Sequence, residues 1–336
     1  LTAGTVQSSH IQDSRIPIVR ATRTGSFVKP SIERYVTYNH TSSFRFCRGT
    51  GLLSGLAVLL LLTALSGCGT IRVTPVTTPP TDVFHTGKIV WHDLLTPDVQ
   101  AAKDFYAGVF GWTFEEHGRY TVVSNDGKAI AGMIQVRPES EAADPARWLV
   151  SLSVVDVDAA AQQLREAGGT VHQGPKALDN RGRFALVKDP QGAELVLLRS
   201  TSGDPPDVDE TAMGSWLWNE LWSRDPAASL AFYQSLVGYE YEAASKLTDY
   251  WIMARDEHWR AGLRSIVLKD WRGQWVPAIR VADPYATAEQ VVANGGEVVI
   301  HPGEAPSDGN VALIADPTGA LLIIQRWPRL ELGEET

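Results

Sequence analysis

Two carboxylates stand out because of what surrounds them. Asp93 and Glu220 lie 127 residues apart, each inside a strand-like run of apolar and aromatic residues. Side chains alternate along a strand, so Ile89, Trp91, Asp93 and Leu95 are expected on one face, and Trp216, Trp218, Glu220 and Trp222 on the matching face. A carboxylate in apolar surroundings either holds its proton to higher pH or acquires a partner. It could therefore serve as a general base, as the counter-charge of a cationic ligand stacked on tryptophan, or as a structural acid bonded to arginine or backbone. The residues leave all three roles open. Other chemistries are poorly supplied. The folded body has no phosphate loop, serine elbow or His-Glu-x-x-His helix. Both cysteines, Cys47 and Cys68, precede it, so it has neither disulfide nor thiolate chemistry.

The 127-residue spacing is general. Trp91 recurs as Trp218, Asp98 as Asp225, Phe105-Tyr106 as Phe232-Tyr233, Gly111 as Gly238, and Trp148 as Trp275. Asp156 recurs as Asp283, Gly168-Gly169 as Gly295-Gly296, and Asp189-Pro190-Gln191-Gly192 as Asp316-Pro317-Thr318-Gly319. That period exceeds a solenoid unit of roughly 20–50 residues and suits a duplicated domain. Seven of the eleven tryptophans fall between Trp216 and Trp275, so the second copy is the aromatic one. Net charge is −9, and the first 67 residues hold only two of the 39 acids. The acidic remainder has no block of Lys or Arg, which argues against nucleic acid as a partner.

The amino-terminal region reads as an address. Residues 52–65 form a 14-residue apolar run behind Arg45 and Arg48, too short for a spanning helix of roughly 20 residues but suited to a secretory signal. Leu65-Ser66-Gly67-Cys68 then resembles a bacterial lipobox, which makes Cys68 the expected lipidation site and lipid-anchored first mature residue. The expected divisions are 1–44, an unstructured leader or over-extended start; 45–67, lipoprotein signal peptide; and 68–86, a Pro/Thr tether. Then come domain one (87–200), a linker (201–213), domain two (214–328) and a tail (329–336). Localisation follows as the bacterial cell envelope, on the periplasmic side of the outer membrane if the cell is Gram-negative.

Each copy reads as strand–helix–strand–strand–strand, twice over. Asp98 is placed to cap the first helix, and Asn125-Asp126-Gly127 to turn a hairpin. The run Trp91-His92-Asp93-Leu94-Leu95-Thr96-Pro97-Asp98, with Phe105-Tyr106, Phe110-Gly111-Trp112 and Lys188-Asp189-Pro190-Gln191-Gly192, resembles the vicinal oxygen chelate superfamily. That superfamily includes glyoxalase I, extradiol dioxygenases and bleomycin-resistance proteins. The tandem form is similar to an antigen-like branch often labelled "hydroxylase". The resemblance implies an α+β fold of two domains, each a pair of βαβββ modules forming a curved, half-open barrel-like sheet around a cavity. Pairing of the two domains within the chain is one arrangement open to it.

The resemblance also implies where metal ligands would sit. The first-strand position falls on Trp91 and Trp218, the fifth-strand position near Leu149 and Val276, and the last-strand position on Val196 and Ile323. The fourth-strand position falls among Met133, Gln135, Leu263 and Ser265, and Glu194, two residues from Val196, is the candidate for a displaced substitute at the last-strand position. The six assignable positions, Trp91, Trp218, Leu149, Val276, Val196 and Ile323, are apolar or aromatic and suit no divalent ion, so neither metal nor other cofactor is expected. The expected ligand-binding residues are Trp91, Asp93, Trp216, Trp218, Glu220 and Trp222, with Asp93 and Glu220 the candidates for any catalysis. The reading is a protein that binds or sequesters a small aromatic or cationic molecule. Its rivals are a glyoxalase- or dioxygenase-like metalloenzyme, a lyase or oxidoreductase with displaced ligands, and an envelope interaction protein.

The address is testable. Cys68→Ala should leave the protein unprocessed or move it out of the membrane fraction, whereas a wild-type mature form that starts elsewhere without an acyl chain would refute the assignment.

Overall fold

The computed structural model describes residues 73–136, 146–244, 249–266, 272–304 and 309–328. The apolar run, Cys68 and the tail lie outside the described residues. Among those described, no helix is long and apolar enough to cross a membrane.

In chain order the first domain comprises β1 (Ile89–Thr96), α1 (Val99–Phe110), β2 (Thr113–His117), β3 (Tyr120–Asn125), β4 (Lys128–Gln135), β5 (Arg147–Ser153), α2 (Val157–Glu166), β6 (Thr170–Leu178), β7 (Gly182–Lys188) and β8 (Glu194–Ser200). The second repeats it as β9 (Trp216–Ser223), α3 (Pro226–Val237), β10 (Glu240–Ala243), β11 (Tyr250–Arg255), β12 (His258–Ser265), β13 (Gln274–Arg280), α4 (Pro284–Ala293), β14 (Glu297–Ile300), β15 (Val311–Ala315) and β16 (Leu321–Gln325). Each helix begins where its aspartate accepts hydrogen bonds from orphan first-turn amides: Asp98, Asp156, Asp225 and Asp283. Gly111 and Gly238 close α1 and α3 in the left-handed conformation.

Each domain forms one eight-stranded sheet, ordered β2-β3-β4-β1-β5-β8-β7-β6 and β10-β11-β12-β9-β13-β16-β15-β14. β1 runs parallel to β4 and antiparallel to β5, which runs parallel to β8, and the second sheet repeats this. The expected α+β architecture of two βαβββ pairs is therefore present.

The domains are pressed together on their helical faces. One core unites α2 and its strands with α3 and the first module of the second domain, including Leu152, Leu164, Leu197, Leu221, Phe232 and Tyr233. A second core unites α1 and its strands with α4 and the last strands, including Leu94, Phe105, Tyr106, Val291, Ile314 and Leu322. Hydrogen bonds cross between domains in matched pairs. The Tyr106 hydroxyl donates to Asp316 Oδ2 at 3.0 Å, and Tyr233 to Asp189 Oδ2 at 3.0 Å. Trp148 and Trp275 donate to those same hydroxyls at 3.0 and 3.2 Å. Near the approximate twofold axis, His92 Nε2 meets Asn219 Oδ1 at 2.8 Å, and the two residues occupy equivalent positions in the repeat.

Residues 73–86, expected to form an extended tether, lie folded against the first domain instead. Val73 packs on Tyr120 and Val122, and Val76 on Val90, Trp91, Phe184 and Leu198. Thr77 is held by two hydrogen bonds to Ser202, and the buried Asp204 accepts from the His85 amide and the Ser153 hydroxyl. Apolar valines among the Pro and Thr residues supply the driving force. The linker is also anchored. Burial works against the Asp207 charge, but hydrogen bonds from Arg260 and Lys88 outweigh it and hold the carboxyl well below the usual aspartate range.

Burial holds His92 down to about 4, with its bond to Asn219 acting in the opposite direction. A histidine whose folded pKa is depressed contributes stability that is present above its unfolded value of 6.5 and lost as pH falls through the folded value. Urea midpoints should therefore fall between pH 6.5 and 4 by the equivalent of up to about 3 kcal/mol, and His92→Gln should flatten that slope. An unchanged slope in the variant would remove His92 from the account.

Candidate functional site

In the first domain the sheet face turned away from the interdomain cores carries Trp91, Asp93 and Leu95 on β1, and the acid is tied into an aromatic cluster. Asp93 Oδ1 accepts from the Tyr120 hydroxyl at 2.7 Å and from Trp91 Nε1 at 3.1 Å. Tyr120 also accepts from Trp91 Nε1 at 3.1 Å and from Arg181 Nη2 at 3.0 Å. The Arg181 guanidinium lies 4.0 Å from the centre of the Trp91 ring. Gly132 faces Asp93 across the parallel β1/β4 pair, and a Cβ there would overlap the Tyr120 hydroxyl. Burial, then the adjacent Asp93 charge, raise the Tyr120 hydroxyl far above the ordinary tyrosine value, against the opposing effect of Arg181. Tyr120 is therefore a donor and not a base.

The second domain builds a comparable cluster from partly different elements. Glu220 accepts a two-pronged contact from Arg264, at 3.0 and 3.3 Å, and a bond from Trp222 Nε1 at 3.0 Å. Trp218 Nε1 donates to the Tyr250 hydroxyl at 2.9 Å, and Arg264 lies 4.9 Å from the centre of the Tyr250 ring. Burial, followed by the Glu220 charge, raises the Tyr250 hydroxyl well above its ordinary value. Gly262 opposes Glu220 as Gly132 opposes Asp93. At the edge, Trp259 is 49% exposed and meets Trp218 edge-on, with ring centres 6.5 Å apart.

Two expectations about faces need correction. Trp216 was expected beside Trp218, but a β-bulge between the two breaks the alternation. Its ring stacks on His92 at 4.0 Å and meets Trp112 and Trp148 edge-on, so it belongs to the contact between domains. The matching bulge between Ile89 and Trp91 sends Ile89 into the interdomain core. On the fourth strands, register with β1 and β9 puts Gly132, Ile134, Gly262 and Arg264 on the same face as Asp93 and Glu220. Met133 and Leu263 point instead into the interdomain cores, and Gln135 and Ser265 share their strands' non-cavity parity. Trp91, Asp93, Trp218, Glu220 and Trp222 are thus brought together within their own domains, while Trp216 is separated.

These two sheets have known counterparts. The pattern of the glyoxalase/bleomycin resistance protein/dioxygenase superfamily matches residues 85–197 and 216–324. The chain belongs to this superfamily. It is 29% identical over 255 residues to "Putative glyoxylase CFP32" of Mycobacterium tuberculosis, covering 73% of this chain and 97% of that protein. It is 32% identical over 260 residues to the anthracycline biosynthesis protein DauV of Streptomyces sp. strain C5, covering 70% of this chain and 92% of that one. In fold it is similar to the Mn(II)-bound glyoxalase of Novosphingobium aromaticivorans, with a TM-score of 0.51, 16% identity, and coverage of 72% and 82%. It is also similar to 2,2',3-trihydroxybiphenyl 1,2-dioxygenase of Sphingomonas wittichii RW1, with a TM-score of 0.52, 14% identity, and coverage of 75% and 94%.

The superfamily's metal does not fit the residues present. Trp91 opposes Ser151, which pairs with Val196; Trp218 opposes Ala278, which pairs with Ile323. The fifth-strand positions in these rows are thus Ser151 and Ala278, with Leu149 and Val276 one pleat away beside Asp93 and Glu220. Each row offers at most a hydroxyl, and in the second domain the neighbouring Arg264 supplies a fixed positive charge. Glu194 is engaged by Arg147 at 2.6 Å and Lys188 at 3.3 Å, which a metal would have to displace. Among the described residues, no group of three or more His, Cys, Asp or Glu is placed to hold an ion.

Sequence reading missed Tyr120, Tyr250, Arg181 and Arg264. The tyrosines and Gly132/Gly262 recur at 130 residues rather than 127, so a fixed offset passes over them. The arginines come from unrelated places in the repeat. Protein purified without chelator should carry well under one divalent ion per domain by elemental analysis. Near-unit zinc, manganese, nickel or iron, lost in Glu194→Ala, would overturn this ligand assignment.

Proposed function

We propose that this protein binds a small planar aromatic molecule in the cavity of its second domain, without a catalytic metal. The observation that carries the reading is the tryptophan pair on that face of the second sheet. Trp218 and the half-exposed Trp259 meet edge-on above a floor whose acid is already satisfied by Arg264 and Trp222. Around them Val299, Ile300, Val311 and Leu321 remain only partly buried, giving an apolar wall with little to bond except π-faces. A cationic ligand would compete with Arg264 for Glu220, whereas an aromatic ring gains from the guanidinium as well as from the indoles. In the first domain the corresponding face is covered by Val73 and Val76. The names of the Streptomyces relatives, given for anthracycline biosynthesis, lend support to a small-molecule role.

The proposal includes the address: a lipid on Cys68 would hold the two domains at the bacterial envelope, outside the cytoplasm. A glyoxalase-like enzyme remains the rival from another class, carried by the names of the mycobacterial relatives.

Calorimetric titration with neutral and cationic planar aromatics of matched size separates these readings. Trp259→Ala should weaken the tighter ligands about two- to tenfold, in line with one lost stacking contact of about 0.5–1.5 kcal/mol, while Glu220→Gln should lower affinity without favouring either charge class. If the panel binds Trp259→Ala and Trp218→Ala as tightly as wild type, the second-domain cavity is not the site.

A further inference from the structure

The first domain buries a positive charge that nothing in the described structure neutralises. Arg181 is 5% exposed and makes one hydrogen bond, from Nη2 to the Tyr120 hydroxyl. Its Nε and Nη1 are buried and meet no acceptor among the described residues. Nor does it form an ion pair there: Tyr120 stands between it and Asp93, 3.0 Å from the guanidinium and 2.7 Å from the carboxylate. Buried charges in proteins are ordinarily paired, because desolvation is otherwise uncompensated. Arg264, in the second domain, follows that rule by gripping Glu220.

The chain takes particular steps to place this side chain. Arg181 sits at the tip of the β6/β7 hairpin, between Asn180 at φ 64° and Gly182 at φ 129°. A Cβ on Gly182 would strike the carbonyl of Arg199, so the turn is built for glycine there. The Arg181 amide is tied to Leu178 O at 3.1 Å, and its carbonyl to the Thr201 amide at 3.1 Å. The turn is fixed, and it holds the guanidinium over Trp91.

What covers this cluster is apolar. Val76 packs on Trp91 and Phe184, and Val73 on Tyr120, each 6% exposed. The covering strap is held mainly at Thr77, Thr81 and His85, beyond its valines, by bonds to Ser202 and Asp204. Lys176 lies 5.6 Å from the Phe184 ring at the same edge, adding positive charge.

We infer that the first domain holds a second ligand site, one for a small carboxylate accepted by the free Arg181 donors, and that the Val73–Val76 strap is its displaceable cover. This goes beyond the aromatic site proposed for the second domain and uses none of its residues. A carboxylate supplies both the missing acceptors and the missing charge, and charge-assisted bonds to arginine are among the stronger polar contacts. Valines offer neither.

The test uses the full chain with benzoate as the probe and benzamide as its neutral counterpart. Calorimetry should show benzoate binding at least tenfold tighter than benzamide, with Val76→Gly raising benzoate affinity threefold or more by loosening the cover. Arg181→Gln should abolish that discrimination. Because this variant could fold poorly, the Val76→Gly comparison stands as an independent readout on a charge-intact protein. Equal binding of the two probes, or no gain in Val76→Gly, overturns the inference. Failure of the Trp259 test would bear on the second domain alone.

Discussion

The molecule depends on two hydrogen-bonded chains that run in opposite directions across its centre. Each begins at a buried tryptophan, passes through a tyrosine hydroxyl and ends on an aspartate of the other domain: Trp148–Tyr106–Asp316 and Trp275–Tyr233–Asp189. The aspartates do two tasks at once. One oxygen of each organises its own Asp-Pro-x-Gly turn by accepting from amides two and four residues on, while the other reaches the neighbouring domain. Burial raises both carboxyls above the ordinary aspartate value, against the hydrogen bonds that favour their charge. Cutting either chain would leave buried groups unmatched, at about 1–3 kcal/mol each. With the helical faces committed to this contact, each sheet has only its opposite face left for ligand chemistry.

Those two faces share a plan and differ in outcome. Both set an acid on the first strand, a tryptophan two residues before it, a tyrosine from the third strand and an arginine beside the ring. In the second domain Arg264 reaches Glu220 directly and the charges cancel. In the first, Tyr120 is interposed and the charges remain separate. On the second face the arginine is consequently satisfied, whereas on the first, Arg181 keeps two buried donors without a partner among the described residues, beneath the valines. An acid, a tryptophan, a tyrosine and an arginine thus give different electrostatics through one intervening hydroxyl.

Much of the fold was legible because it rests on local chemistry repeated at a constant spacing. The four capping aspartates, the closing glycines and the duplicated Phe-Tyr and Asp-Pro-x-Gly signatures each have a backbone reason to be where they are. The reciprocal contacts used those same residues, yet Tyr106 reads in sequence only as a packing residue, since its partner lies 210 positions away. The site was less legible for two physical reasons. Bulges after Ile89 and Trp216 reverse which residues share a face, and no residue pattern marked them. The fourth-strand face is set by parallel pairing with the first strand, a long-range register that places Gly132 and Arg264, and not Met133 or Leu263, beside the acids. The valines at 73 and 76 looked like tether residues until a surface existed to receive them.

The pair His92 and Asn219 sits where the approximate twofold axis passes, and the two residues differ. In a dimer of identical chains an axial position is occupied by the same residue twice, and every substitution in one cavity appears in the other. Joining the halves in one chain removes that coupling. The two halves can then diverge independently, as the face covered by Val73 and Val76 in one and the half-exposed Trp259 in the other illustrate. The unlike pair on the axis, His92 Nε2 meeting Asn219 Oδ1, is one that two identical chains related by that axis could not form.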